Sequence, residues 1–194
     1  VVYFAENEQV IGLVALMDVP NEEAMNAIHY FKSQNIETTM ITGDAKLTGE
    51  AVGRLVGVDQ VYANVLPEEK SAIVDQLKRE VGMTGMVGDG INDAPALVNA
   101  DIGVAMGDGT DIAIDVADVV VMKNDLSKLG YAHRVSKRLN KIVQQNIIFS
   151  MLVVATLIIL NFLGIANIAF SVLIHEGSTL VVIFNGLRLL VNTK

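Results

Sequence analysis

Three short strings in the first half of the chain combine the residue types that transfer a phosphoryl group to and from a carboxylate. They are Thr42-Gly43-Asp44, Lys70, and Gly88-Asp89-Gly90-Ile91-Asn92-Asp93. This chemistry needs Mg²⁺ to neutralise charge, a hydroxyl and an ammonium group to hold phosphoryl oxygens, and backbone amides that come close at glycines. The strings together therefore predict a phosphate site that works with Mg²⁺.

The residues of these strings have distinct expected roles. Asp89 supplies the kind of oxygen ligand that Mg²⁺ prefers. Thr42 offers its hydroxyl, and Lys70 its positive charge, to the phosphoryl oxygens. The expected catalytic set is completed by Gly43, Asp44, Asn92 and Asp93, of which the last two orient the phosphoryl group and the lysine.

Each string also has a purely structural interpretation. Thr-Gly-Asp and Asp-Gly are common turn sequences, and a lone lysine near a helix start is usually solvated. A calcium loop that begins at Asp89 is ruled out, because its sixth and twelfth positions are Ala94 and Ala100. A similar string is interpreted as a turn followed by a helix N-cap: Met106-Gly107-Asp108-Gly109-Thr110-Asp111.

Alternating strands and helices are expected to position the phosphate site. The predicted elements are a hairpin of residues 1–4 and 9–17, helix 20–34, strand 36–41, helix 48–55, strand 61–63, helix 68–80, strand 85–87, helix 94–98, and strands 102–105 and 119–122. This alternation predicts an α/β fold with a mainly parallel sheet and helices on both faces. Both glycine-containing strings follow predicted strands, at the sheet edge where such folds bind ligands.

Charge divides the chain into two parts. Residues 1–145 carry 12 basic and 21 acidic side chains, a net charge of −9, whereas the rest contains only Glu176, Arg188 and Lys194. An acidic domain is a poor partner for nucleic acid, so that class is excluded. The absence of cysteine excludes disulfides and thiolate metal sites. Because the chain opens in a strand-like run without methionine, it is expected to be a fragment of something longer.

The end of the chain predicts a membrane-spanning helical hairpin. Residues 147–165 are nineteen residues with Ser150, Thr156 and Asn161 as their only polar members. That length crosses a hydrocarbon layer of about 30 Å at about 1.5 Å per residue. A turn at residues 164–167 leads into a returning helix at 168–191. Basic residues flank only the outer ends, so both ends are expected to face the cytoplasm. The alternative is a buried helical hairpin in a soluble protein.

An ionisable pair, His175 and Glu176, interrupts the second apolar helix. Placing such side chains inside a bilayer is costly unless they face protein or water, which favours a functional role. Thr179 lies one turn from His175 on the same helix face. Imidazole, carboxylate and hydroxyl groups together suit Zn²⁺, Co²⁺ or Fe²⁺ better than Cu⁺. A hydrogen-bonded contact between helices is the alternative.

The strings taken together resemble the phosphorylation domain of heavy-metal-transporting P-type ATPases, which has a haloacid-dehalogenase-like fold. The matching strings are Thr42-Gly43-Asp44, Leu66-Pro67-Glu68-Glu69-Lys70, the run from Met86 to Leu97, and the run from Met106 to Asp111. His175-Glu176-Gly177-Ser178-Thr179 is similar to the His-Glu-Gly-Gly-Thr motif of the cobalt-, zinc- and iron-exporting subgroup. Ser178 stands where that motif has its second glycine.

The resemblance implies ATP-driven export of a divalent heavy-metal cation across the cell membrane, through an aspartyl-phosphate and with Mg²⁺. It divides the chain into the C-terminal part of the phosphorylation domain (1–124), a basic linker helix (125–145) and a transmembrane hairpin (146–194). The family's Asp-Lys-Thr-Gly-Thr occurs nowhere in the sequence. The expected partners are membrane lipid, divalent metal ions, and the nucleotide-binding, actuator and earlier membrane segments of the same protein. The chain alone is therefore expected not to hydrolyse ATP.

Two other functions stay open. A membrane-anchored phosphatase of the same fold would act on small phosphorylated molecules, but it needs an Asp-x-Asp pair, which the sequence lacks. A non-catalytic regulatory or truncated product would bind Mg²⁺ or phosphate without turnover.

Overall fold

The computed structural model of the protein describes residues 2–6, 9–14, 20–122 and 125–190. They form two compact units, Val1–Gly130 and Tyr131–Lys194. Residues 1 and 15–17 of the predicted hairpin and residue 191 of the predicted last helix lie outside the described ranges.

The first unit alternates strands and helices as predicted. Its elements are β1 Val2–Glu6, β2 Gln9–Val14, α1 Glu22–Ser33, β3 Thr39–Ile41, α2 Lys46–Val56, β4 Gln60–Tyr62, α3 Glu69–Val81, β5 Gly85–Gly88, a 3₁₀ turn Ile91–Asp93, α4 Ala94–Asn99, β6 Ile102–Met106, α5 Asp111–Val116 and β7 Val119–Val121. The 3₁₀ turn and the helix body of α5 were not predicted. The 3₁₀ turn has three residues and α5 six, so neither is long enough to show a full hydrophobic period in the sequence, and α4 of the same length was predicted only approximately, at 94–98.

Strand pairing confirms the predicted α/β class. The hairpin β1–β2 is antiparallel, β3 pairs with β4 in parallel, and β5, β6 and β7 form a parallel sheet in that order. In the part of the chain that is described, β3 and β5 each pair with a strand on one side only. Each of them therefore offers an open edge to a further strand.

Strand β6 forms the centre of the core. Leu97 of α4 and Ala113 of α5 pack against Ala105 on one face of the strand. On the other face, Val104 and Met106 pack against Val121 of β7. Burial on both faces explains the apolar run at 102–106, because a strand covered on both sides loses the alternation of polar and apolar residues.

The strand predicted at 36–41 begins three residues late, at Thr39. The backbone N–H and the hydroxyl of Thr38 both donate to the Asp59 carboxylate, at 2.9 and 2.8 Å. Lys32 pairs with the same carboxylate at 2.7 Å. The hydrogen bond from Lys32, then those from Thr38, lower the pKa of Asp59 from 3.8 to about 2. The Asp59 side chain thus takes the donors of Thr38, while the Thr38 carbonyl accepts from the N–H groups of Asp59 and Gln60. The regular β-ladder starts at the next residue.

The second unit is a pair of long helices. The predicted linker helix and the first apolar helix form one continuous helix, α6 (Ser127–Phe162), and α7 spans Ile168–Leu187. Asn167 begins α7, and its side chain accepts a hydrogen bond from the Phe170 N–H at 2.8 Å. Both helices are long and apolar enough to cross a membrane. No side chain of α7 is buried, so its apolar surface is available to a hydrophobic surrounding.

Candidate functional site

An ion pair joins two of the predicted phosphate-site strings. Lys70, in the first turn of α3, places its Nζ 2.6 Å from Oδ1 of Asp93, with side chains 18% and 10% exposed. The other carboxylate oxygen of Asp93 accepts hydrogen bonds from the N–H groups of Asp89 and Gly90, at 3.4 and 3.3 Å. Asp93 therefore holds the lysine and the backbone after β5 in one arrangement.

Gly88 leaves the space that Asp93 occupies. A Cβ at this position would lie 2.6 Å from the Cβ of Asp93, which is far inside van der Waals contact. The 3₁₀ turn that follows closes with a 3.0 Å hydrogen bond from the Asp93 N–H to the carbonyl of Gly90. Gly88 thus makes room for the side chain of Asp93, whereas a Cβ at Gly43 or Gly90 would meet nothing closer than 3.4 Å.

The backbone of Asp89 is held by the loop of residues 106–111, for which the sequence predicted only a turn and a helix cap. The Thr110 N–H donates to the Asp89 carbonyl at 2.9 Å. A Cβ on Gly109 would come within 2.6 Å of that same carbonyl oxygen. The predicted cap is also present, since the Thr110 side chain accepts from the Ala113 N–H at 3.4 Å. The likeness of this string to the one around Asp89 was the only sequence signal of its second role.

The Thr42 string forms a turn of its own at the end of β3. The Thr42 hydroxyl donates to Oδ2 of Asp44 at 2.8 Å and accepts from the Asp44 N–H at 3.1 Å. The Thr42 carbonyl accepts from the Val65 N–H at 3.1 Å, in the connection that leads to α3. That connection is completed by the Glu69 carboxylate, which accepts from the Leu66 N–H at 2.8 Å. The turn is thereby tied to the segment that carries the lysine.

The structure joins some of the predicted residues directly and others only through the backbone. Lys70, Asp93 and the backbone of Asp89 share one hydrogen-bonded cluster. Within the described residues, Thr42 and Asp44 make no direct hydrogen bond to that cluster. Asn92 is exposed beside it.

The donor chemistry fits Mg²⁺. The Asp89 side chain is exposed, and the described ranges contain no group of three carboxylate or histidine side chains that could hold a metal alone. Mg²⁺ is commonly bound by one or two carboxylates, with water and phosphate oxygens completing its six ligands. The exposed Asp89 carboxylate would supply one such ligand.

The predicted metal residues of the second unit lie on α7. His175 lines a groove of ≈ 430 Å³ together with residues of α6: Val154, Leu157, Ile158, Asn161 and Phe162. Glu176 and Thr179 are exposed. The hydroxyls of Ser178 and Thr179 both donate to the His175 carbonyl, at 2.6 and 3.3 Å. Each hydroxyl oxygen keeps lone pairs with which it could bind a metal ion.

Comparison with known protein families assigns the first unit to a family. The sequence model described as haloacid dehalogenase-like hydrolase matches residues 1–101. The chain belongs to this family.

Characterised proteins similar to this haloacid dehalogenase-like chain are metal-transporting ATPases. The zinc-transporting ATPase of Bacillus subtilis (strain 168) is 46% identical over 98% of the chain and 30% of its own length. The cadmium, zinc and cobalt-transporting ATPase of the same organism is 42% identical over 98% of the chain and 28% of its own length. The chain therefore spans less than a third of either relative. The resemblance to heavy-metal-transporting P-type ATPases is confirmed.

A solved structure supports the same placement. The crystal structure of a zinc-transporting PIB-type ATPase in its E2.Pi state matches with a TM-score of 0.90 at 33% identity, over 97% of this chain and 31% of that one. The match extends across the described strands and both long helices. The predicted combination of a haloacid-dehalogenase-like domain and two apolar helices is thus found together in a known transporter.

Proposed function

We propose that the chain is part of an ATP-driven exporter of divalent heavy-metal cations, located in the cell membrane and working through an aspartyl-phosphate. The observation that carries the proposal is the cluster in which Asp93 fixes both Lys70 and the backbone of Asp89. This cluster presents a positive charge and a metal-binding carboxylate at one edge of a parallel sheet. The two apolar helices of the same chain supply the membrane part.

The phosphorylated aspartate would come from a strand outside this chain. The sequence contains no Asp-Lys-Thr-Gly-Thr, and both β3 and β5 have an open edge. A parallel strand that paired with these edges would end beside the turn of Thr42 and the loop of Asp89. An aspartate at its carboxyl end would lie within the phosphate site.

The residues of the chain would then divide the work of phosphoryl transfer. Lys70, held by Asp93, places its ammonium group where phosphoryl oxygens carry negative charge. Thr42 and the amides beside Gly43, Gly88 and Gly90 add hydrogen bonds. Asp89 would hold Mg²⁺, which neutralises phosphate charge when it is bound. Because Asp93 fixes Lys70 and the backbone of Asp89 before the substrate arrives, these two elements need little reorganisation during the reaction.

The transported cation would bind at His175, Glu176 and Thr179. The names of the relatives favour Zn²⁺, Cd²⁺ or Co²⁺ as the exported ion, and the donor set also suits Fe²⁺. Helices outside this chain would complete the coordination, facing the groove that His175 lines.

The domain layout follows from this function. Residues 1–124 would form the phosphate-handling part, 125–145 the basic connection and 146–194 the membrane hairpin, with both ends of the chain in the cytoplasm. The nucleotide-binding and actuator segments of the same protein would be the partners of the first unit. The chain alone would not hydrolyse ATP.

The test is ATP hydrolysis by the full-length protein in lipid vesicles, measured with and without Zn²⁺, Cd²⁺ and Co²⁺. The expected result is metal-stimulated turnover with an acid-stable phosphoenzyme that hydroxylamine cleaves, as an acyl phosphate does. Hydrolysis of p-nitrophenyl phosphate without any metal stimulation or phosphoenzyme would instead identify a membrane-anchored phosphatase. Absence of all turnover would identify a non-catalytic product.

A further inference from the structure

Basic side chains gather at one end of the helix pair in the second unit. On α6 they recur at intervals of three and four residues, which places them within an arc of about 100° on one helix face. One more follows the end of α7. We call this set the basic collar: Arg134, Lys137, Arg138, Lys141 and Arg188.

Hydrogen bonds between the two helices bring the two parts of the collar together. The guanidinium of Arg138 donates to the carbonyl of Arg188 at 2.9 Å. The guanidinium of Arg188 donates to the side-chain oxygen of Asn185 at 2.7 Å. Asn185 in turn donates to the side-chain oxygen of Asn146 on α6 at 2.8 Å. Positive charges from both helices therefore lie at the same level.

That level coincides with the expected edge of the hydrocarbon layer. Helix α7 has 20 residues, so it is about 30 Å long and matches the thickness of the hydrocarbon core. Arg188 follows its last residue and thus falls at the boundary with the headgroups. The Arg138 guanidinium bonds to the Arg188 backbone and lies at the same boundary, and Lys141 is one helical turn nearer to the apolar segment.

The charge balance of this unit is strongly positive at that end. Residues 131–190 contain the five basic side chains of the collar and a single acidic one, Glu176. Glu176 precedes Arg188 by 12 residues, which separates them by about 18 Å along the helix. A local excess of positive charge at a membrane surface attracts anionic lipids.

We propose that the basic collar binds the headgroups of anionic phospholipids in the cytoplasmic leaflet, with one headgroup phosphate held between Arg138, Lys141 and Arg188. The inference rests on the membrane location proposed above. Guanidinium groups match phosphate oxygens with paired hydrogen bonds, and the lysine ammonium adds a point charge. The bound lipid would stabilise the contact between α6 and α7 at this end of the helix pair.

The test compares lipid binding to purified full-length protein by native mass spectrometry, with phosphatidylglycerol or phosphatidylcholine added. The variant R138Q/K141Q/R188Q removes three charges of the collar. The matched control K46Q/R54Q/R79Q removes three exposed charges from the first unit. We expect the control to retain phosphatidylglycerol like the wild type, and the collar variant to bind it at least about tenfold more weakly. Phosphatidylcholine binding should not change.

Two further variants guard against a simple folding defect. R138K/R188K keeps the charges and should keep most of the phosphatidylglycerol binding. K141Q leaves the bond between Arg138 and Arg188 in place and should weaken binding part of the way.

Three results would overturn the inference. They are equal retention of phosphatidylglycerol by the collar variant and the control, equal binding of the two lipids to the wild type, and complete displacement of the lipid by millimolar inorganic phosphate. Extraction of membranes with alkaline carbonate distinguishes failure of the lipid-binding inference from failure of the proposed function. A protein released from membranes would contradict both, whereas a retained protein without lipid preference would contradict only the collar.

Discussion

The two candidate sites of this chain differ in how much of their structure the chain itself provides. At the phosphate site, Asp93 connects Lys70 and the backbone of Asp89 through contacts within one compact unit. At the membrane site, Glu176 and Thr179 are exposed on α7, and His175 lines an open groove. The first site is held together by its own hydrogen bonds and ion pair, whereas the second consists of side chains on an open helix surface. In the proposed pump, the nucleophile of the first site and the remaining ligands of the second would therefore come from different segments outside this chain.

Replacing His175 by alanine should have the largest effect, and it should impair the membrane site while leaving the phosphate site intact. We expect metal-stimulated ATP hydrolysis by the full-length protein to be lost, with apparent metal affinity falling more than about a hundredfold. Phosphoenzyme formation from inorganic phosphate should persist, because the first unit keeps its contacts. The control is His29→Ala, on the exposed side of α1. Normal stimulation by Zn²⁺ and Co²⁺ in His175→Ala would remove this histidine from the transport site.

Asp89→Asn should produce the converse pattern. Replacing the carboxylate weakens the hold on Mg²⁺, so phosphoenzyme formation should fall by about a hundredfold. The dissociation constant of the metal ion at the membrane site, measured by equilibrium dialysis, should change by less than twofold. This corresponds to less than about 0.4 kcal/mol in binding free energy. Asp115→Asn on α5 serves as the matched control. Unchanged phosphorylation at limiting Mg²⁺ would contradict the metal role of Asp89.

Asp93→Ala should test whether the first site is preorganised. Lys70 would lose its ion-pair partner, in a pair whose side chains are 18% and 10% exposed. We therefore expect the free energy of unfolding to fall by about 2–3 kcal/mol. The surface pair of Lys46 and Glu50, at 3.9 Å with side chains 75% and 40% exposed, gives a contrast, because Glu50→Ala should cost less than about 0.5 kcal/mol.

A double variant separates stability from catalysis at this ion pair. Lys70→Met combined with Asp93→Ala removes both charges, so chemical denaturation should show much of the lost stability restored. Phosphoenzyme formation should remain abolished, since the ammonium group is gone. Equal instability of the single and double variants would show that the pair does not hold the site through its charge.

Gly109→Ala should have a smaller effect and should show that the second glycine-rich loop supports the first. The added methyl group would meet the Asp89 carbonyl at 2.6 Å, so we expect a loss of about 1–3 kcal/mol in stability and a higher Mg²⁺ requirement for phosphorylation. Gly85→Ala is the control, because its nearest contact would be at 3.7 Å. An unchanged Mg²⁺ requirement would limit this loop to a structural role.

The smallest expected effect concerns acid stability of the first unit. Hydrogen bonds from Lys32 and Thr38 lower the pKa of Asp59 from 3.8 to about 2. The ionised form is therefore favoured in the folded state, and its contribution is present above pH 4 and disappears as the pH falls towards 2. Because this carboxylate is partly exposed, Asp59→Asn should cost no more than about 1 kcal/mol at pH 7. Urea unfolding at pH 7 and pH 2 should show this difference vanish in acid, while the helicity of the apolar helices stays unchanged.

Local patterns predicted much of the fold because their causes are local. The strand and helix alternation, the cap at Thr110 and the presence of two apolar helices follow from hydrophobic period, capping residues and hydropathy. The start of β3 was predicted three residues early. Its cause is a side chain 21 residues away, Asp59, which takes the hydrogen-bond donors of Thr38. A propensity for strand cannot detect such a distant competitor.

The sequence by itself determined which chemical groups are present and at which end of which element they lie. It predicted Lys70, Asp89 and Asp93 as members of a phosphate site and the apolar hairpin as a separate unit, because residue type and periodicity can be read in order along the chain. Only the tertiary structure decided that one carboxylate oxygen of Asp93 binds the lysine while the other binds the loop of Asp89, and that Thr110 holds that loop from behind. These contacts join segments about 20 residues apart in a packed core, where distance depends on the folding of everything between them.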